Sequence, residues 1–186
     1  GRSSYAGVHL AQAPGVTITL DDITVRHSAR LGIWLQQGDL ALSSCTLDTN
    51  LSYDLWVDNT SNATGEVSGC TMGSFHYAGN NPRIDWTANT FNNWGSPTST
   101  VALEDAATVI DDNTFNPVAG AVLEVRGGTL AHDATWTDAA GPFVLLSSLT
   151  VQGTDGADGV TTLTLEPGVT VRFPYGNYSL FVGGTS

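Results

Sequence analysis

Two adjacent carboxylate pairs, Asp21-Asp22 and Asp111-Asp112, are the first residues to weigh for chemistry. Glycoside hydrolysis needs two carboxyl groups flanking the scissile bond. Both pairs, however, fall in the spacer of a recurring motif, where turns favour aspartate. No catalytic residue is therefore expected. A second chemistry is sugar binding. His9, Trp34 and Trp56 are the middle residues of apolar-x-apolar triplets, with Asp54, Asp58 and Gln36 beside them. Tryptophan exposed next to hydrogen-bonding groups makes a carbohydrate platform; the competing reading puts these rings under a loop or in the core. Cys45 and Cys70 share one repeat position, so they are expected in contact on adjacent rungs, as a disulfide or as two stacked thiols. Asp155-Gly-Ala-Asp158-Gly could hold calcium, but it offers fewer oxygens than the six to eight that the ion takes. A plain turn is expected there, with no metal and no cofactor. Asn50, Asn59, Asn62 and Asn177 begin Asn-x-Ser/Thr sequons and are candidate glycan acceptors.

Positioning such residues falls to a repeat. The motif is an apolar residue, two spacers, a small or amide residue, Thr, then an apolar residue. It reads Leu20-Asp-Asp-Ile23-Thr24-Val25, Leu42-Ser-Ser-Cys45-Thr46-Leu47 and Val67-Ser-Gly-Cys70-Thr71-Met72. It continues as Trp86-Thr-Ala-Asn89-Thr90-Phe91 and Ile110-Asp-Asp-Asn113-Thr114-Phe115, with a looser copy ending at Ala134-Thr135-Trp136. Successive Thr positions lie 22, 25, 19, 24 and 21 residues apart. The triplets Val8-His9-Leu10, Ile33-Trp34-Leu35, Leu55-Trp56-Val57, Val101-Ala102-Leu103 and Leu123-Glu124-Val125 travel with it. Their alternation is strand periodicity with one buried face.

Short strands repeating every 20 to 25 residues predict an all-β fold, a right-handed parallel β-helix of about eight rungs of roughly 22 residues. Its interior would be lined by Ile33, Leu35, Leu55, Val57, Leu103, Leu123 and Val125. Residues 1–186 would form one segment, with regular Thr-motif rungs over 1–136 and longer-looped rungs over 137–186. An antiparallel sandwich would call for hairpin turns between strands, and the two Asp-Gly pairs share one loop.

The run Gly32-Ile-Trp-Leu…Leu42-Ser-Ser-Cys-Thr-Leu…Asn50 resembles the repeats of the pectate-lyase-like β-helix superfamily. The stretch from Gly128 to Phe173, with Leu163-Thr-Leu-Glu-Pro-Gly-Val-Thr-Val-Arg-Phe173, is similar to a unit of large secreted microbial β-helix proteins. The resemblance implies the fold and leaves the function open, because the superfamily holds lyases, hydrolases, adhesins and passive spacers. Its pectin-hydrolysing members place paired aspartates just before the Gly-Ile strand. Here Ala29-Arg30-Leu31 occupies that place.

Charge narrows the partners. Six arginines and no lysine stand against eighteen acids, for a net −12. Such a field repels phosphate backbones and anionic lipid, so neither nucleic acid nor a membrane is an expected partner. No stretch reaches the roughly 18 apolar residues of a membrane span. The expectation is a non-catalytic structural or adhesive segment of an extracellular or cell-surface protein. A carbohydrate-binding module is the first alternative and a divergent polysaccharide lyase or hydrolase the second. Neither end carries a capping helix pattern, so the segment is expected to belong to a longer rod or to stack end to end on copies of itself, building a filament.

Overall fold

In the Thr motif the third residue turns the chain. Asp22, Ser44, Ala88 and Asp112 all take left-handed backbone conformations, with φ of 52, 54, 55 and 53°, and Gly69 takes the same place at 60°. One residue in this conformation reverses the in–out alternation. It bends one strand into the next and sends the following side chain (Cys45, Cys70 or Asn89) into the interior, where each is 1% exposed. Thr then starts the next strand facing outward. The motif is thus a corner, which explains why its spacers are small or acidic.

These corners join strands that stack on the next repeat, never on their sequence neighbour. The computed structural model describes residues 6–13, 15–58, 64–78, 83–95, 98–154, 159–174 and 176–183. Its longest sheet, face A, has eight strands: Ala6–Ala11, Leu31–Gln37, Leu55–Val57, Phe75–Tyr77, Ser99–Val101, Leu123–Val125, Phe143–Leu145 and Val171–Arg172. Face B stacks Thr17–Asp21, Asp39–Ser43, Thr64–Ser68 and Arg83–Thr87. Face C stacks Thr24–Arg26, Thr46–Asp48, Thr71–Met72, Thr90–Trp94 and Thr114–Pro117. Farther along, Gly128–Leu130, Leu149–Val151 and Leu180–Val182 form a third small stack, and Ala134–Trp136 pairs with Leu163–Leu165. Pairing between successive rungs is parallel, as in His9 with Trp34, Trp34 with Trp56, and Thr24 with Thr46. The protein is a parallel β-solenoid.

About six turns are complete, and two further rungs are partial, against the expected eight rungs. Six turns carry three strands each. In the turn that begins at Ser99, the second strand is replaced by a 3-10 turn, Leu103–Asp105, running into a helix, Ala106–Ile110. The final turn contributes two strands, Val171–Arg172 and Leu180–Val182. The expected triplet Val101-Ala102-Leu103 is corrected here: the face A strand is Ser99-Thr100-Val101, with Thr100 opposite Glu124. Leu103 is buried all the same, delivered by the helical turn. The other expected interior residues, Ile33, Leu35, Leu55, Val57, Leu123 and Val125, are all fully buried. They stack in two files with Phe75, Tyr77, Phe143 and Leu145.

Inside the B–C corner runs a ladder of acceptors. Cys70 Sγ accepts the Cys45 N–H (3.3 Å), Asn89 Oδ1 accepts the Cys70 N–H (2.9 Å), and Asn113 Oδ1 accepts the Asn89 N–H (2.8 Å). Each side chain thereby satisfies a backbone donor of the rung before it. The cysteines are free thiols in contact on adjacent rungs. Burial pushes the Cys70 thiol up to about 11.

Candidate functional site

On face A parallel register puts the residues between the two buried files in one column: His9, Trp34, Trp56, His76, Thr100 and Glu124, of which Thr100 is itself buried. His76 extends the expected column by one rung. It lies in Phe75-His76-Tyr77, an apolar-x-apolar triplet that the sequence displays but that follows its predecessor by only 20 residues.

The rings fall into two groups. His9 stacks on Trp34, centroids 4.2 Å apart at 13°. Trp56 stacks on His76, 4.2 Å apart at 28°, and Tyr53 leans on both at 5.5 and 5.0 Å. Between Trp34 and Trp56, although their backbones pair, opens a cleft of about 310 Å³. Tyr53, Ser52, Arg30 and Leu31 line it along the turn that leads into face A, and Asp58 lines it at the far end of the strands. Its volume sits at the lower end of small-ligand sites, about 300–1,000 Å³.

Polar groups hold this arrangement. Trp34 Nε1 donates to Asp58 Oδ2 (3.3 Å), and His9 Nε2 lies 2.8 Å from Gln36 Oε1. Thr100 Oγ1 donates to Glu124 (2.9 Å). Burial holds the His76 ring down to about 4, and Arg126 adds to the shift, so at neutral pH the column carries a neutral imidazole there. Burial raises the Tyr53 hydroxyl, with Glu124 contributing. The cleft is therefore aromatic on two sides and hydrogen-bonding at its rims.

Asp54 is a correction. It is 5% exposed and turns away from the column. Its carboxylate accepts the Asn50 Nδ2 amide (2.7 Å) and the Gly73 and Ser74 backbone N–H groups (2.6 and 3.4 Å). Burial raises its carboxyl above the usual range in spite of those donors. Its role is to hold the corner. Asn50 is corrected with it: Oδ1 accepts the Ser28 N–H (3.0 Å), while Nδ2 serves Asp54 and the Val25 carbonyl. An amide bound on both atoms is a poor glycan acceptor in the folded chain. Asn177 is exposed. Asn59, Asn62, Asp155 and Asp158 lie outside the described residues.

Elsewhere, Thr24, Thr46, Thr71, Thr90 and Thr114 form one in-register file on face C. Among the described residues no three His, Cys, Asp or Glu side chains gather as a metal site, and no helix is long and apolar enough to cross a membrane. The chain matches no family model, no curated protein and no solved structure.

Proposed function

We propose that this chain is a non-catalytic segment of an extracellular or cell-surface β-solenoid protein, akin to the pectate-lyase-like repeats, and that it adheres to carbohydrate through the Trp34–Trp56 cleft. One observation carries the reading: two aromatic groups in adjacent rungs stand apart over an open cleft, with Arg30, Ser52 and Tyr53 at its rim. Rings packed for stability alone would close on each other. A saccharide offers apolar C–H faces to the rings and hydroxyls to the rim. The non-catalytic part is supported by the placement of Asp22 and Asp112, which take the corner conformation of the repeat.

The test is a glycan array followed by titration of the best binder. Trp34→Ala and Trp56→Ala should each weaken binding by about tenfold or more, the effect of removing a central aromatic anchor. Both rings lie on the outer side of face A, so the melting temperature should change little. Binding that survives both substitutions would sink the cleft as the site, and turnover of a polysaccharide in an activity screen would overturn the non-catalytic assignment.

A second reading, self-association, is favoured by the last rung. Phe181 and Val182 are 53% and 77% exposed, and Leu165 and Phe173 are also bare. A rung from a second copy would cover this edge, and contacts that repeat head to tail build filaments. The 186-residue chain should show concentration-dependent scattering that Phe181→Asp reduces; a monomer at every concentration would rule the contact out.

A further inference from the structure

A notch lies around the corner from the aromatic cleft. The links from face C to face A span residues 27–30, 49–54, 73–74, 95–98 and 118–122 in successive turns. Gly73-Ser74 is the shortest, and it follows the longest. A short link between longer ones leaves a gap in the wall of the solenoid. The gap measures about 560 Å³. Gly73 lines it; a Cβ there would crowd Asp54 Oδ2 at 3.0 Å and Asn92 O at 3.2 Å, so this short link packs closely against the rungs on both sides. One wall holds Thr49, Asn50 and Ser52, and the other Asn92 and Asn116.

The chemistry of the walls is that of hydroxyls and carboxamides. Asn116 Nδ2 donates to Asn92 Oδ1 (2.8 Å), which uses one donor and one acceptor of a pair with several of each. Both residues are exposed. Arg26, the arginine of this notch, already pairs with Asp48 at 3.6 Å. Asp54 adds a further acid, and the chain carries −12 overall. An anionic ligand is disfavoured here, and a neutral, hydroxyl-rich one fits.

Ser52 lines both the notch and the aromatic cleft. Its neighbours diverge: Tyr53 turns to the cleft and Asp54 to the notch. The two openings are thus separated by one stretch of backbone. We infer that they form one extended site for a neutral oligosaccharide, with one end stacked between Trp34 and Trp56 and the chain continuing over Ser52 into the Asn92–Asn116 notch. This rests on the carbohydrate reading of the cleft and adds to it a second subsite, a direction and a charge class.

Chain length separates the two ideas. Neutral gluco-, manno- and galacto-oligosaccharides of increasing length, with uronate oligomers beside them, would be titrated calorimetrically into the wild-type chain and an Asn92→Ala/Asn116→Ala double variant. In the wild type, affinity should rise about tenfold or more from the shortest binding oligomer to the longer ones, as linked contacts share one association cost. The double variant should lose that rise while keeping its affinity for the shortest oligomer and its melting temperature. Affinity independent of length, a length effect that survives the double variant, or a preference for uronates would each overturn the extended neutral site and leave the cleft standing. No binding of any oligomer would overturn both.

Discussion

Asn89→Leu should lower the unfolding free energy by about 3–5 kcal/mol, because the side chain satisfies partners on both sides of its rung. Its Oδ1 accepts the Cys70 N–H, and its Nδ2 donates to the Val67 carbonyl (2.7 Å) and to Asn113 Oδ1 (2.9 Å). The residue is 1% exposed, so water cannot replace what leucine fails to supply. Each buried group left without a partner costs about 1–3 kcal/mol, and the added apolar contact offsets part of the loss. For a chain of this length the melting point should fall by roughly 6–20 °C. Solenoids can open locally, so amide exchange at Cys70 is the sharper reading, and it should accelerate more than exchange on distant rungs. Asn116→Leu is the control, an exposed amide on the outer side of face C whose loss should fall within about 0.5 kcal/mol. If Asn89→Leu melts within about 2 °C of wild type, the ladder does not carry the corner.

That ladder also marks how far the sequence could be read. The Thr motif is legible because three constraints fall at fixed offsets: a left-handed corner residue, an inward side chain and an outward Thr. Parallel register then copies them rung to rung, and the same copying aligns His9, Trp34 and Trp56 without knowledge of any long-range contact. What periodicity could not convey is length variation between rungs. The two-residue Gly73-Ser74 link hid Phe75-His76-Tyr77 as a rung, and with it His76. The stretch Leu103–Ile110 has the apolar content of a strand, and its helix emerges from packing against Arg83–Thr87 and Ala134–Trp136. Asp54 flanks a strand in sequence, but the corner turns it inward, where Gly73 and Ser74 present two backbone donors. Asn50 belongs to a sequon that says nothing of whether its amide is already engaged.

The helix that interrupts face B also brings an acid into the core, and the pH dependence of stability should report it. Asp105 is 5% exposed. It accepts the Ile84 N–H (3.0 Å) and hydrogen-bonds to the Tyr77 hydroxyl, which itself accepts Trp86 Nε1 (3.1 Å). Burial raises its carboxyl from 3.8 to about 6; the Ile84 N–H, Arg83 and Tyr77 oppose the rise, and Asp85 adds to it. Folding therefore favours the protonated acid. Its contribution is fully present below the unfolded value and is lost as pH rises through about 6, a span worth about 2–3 kcal/mol. His76 works in the opposite sense. Its folded value lies near 4 against 6.5, so its contribution is present above 6.5 and is lost as pH falls through about 4. The two slopes overlap between about pH 4 and 6 and partly cancel, while the raised Asp54 carboxyl adds to the Asp105 slope. Asp105→Asn keeps an oxygen for the Ile84 N–H and removes the titration. The stability difference between variant and wild type should then grow in the variant's favour by about 2–3 kcal/mol from near pH 4 to near pH 7, while the variant alone shows the acid-side loss that His76 causes. Urea unfolding of both proteins across that range measures it, and a difference independent of pH would show that folding leaves the Asp105 carboxyl unshifted.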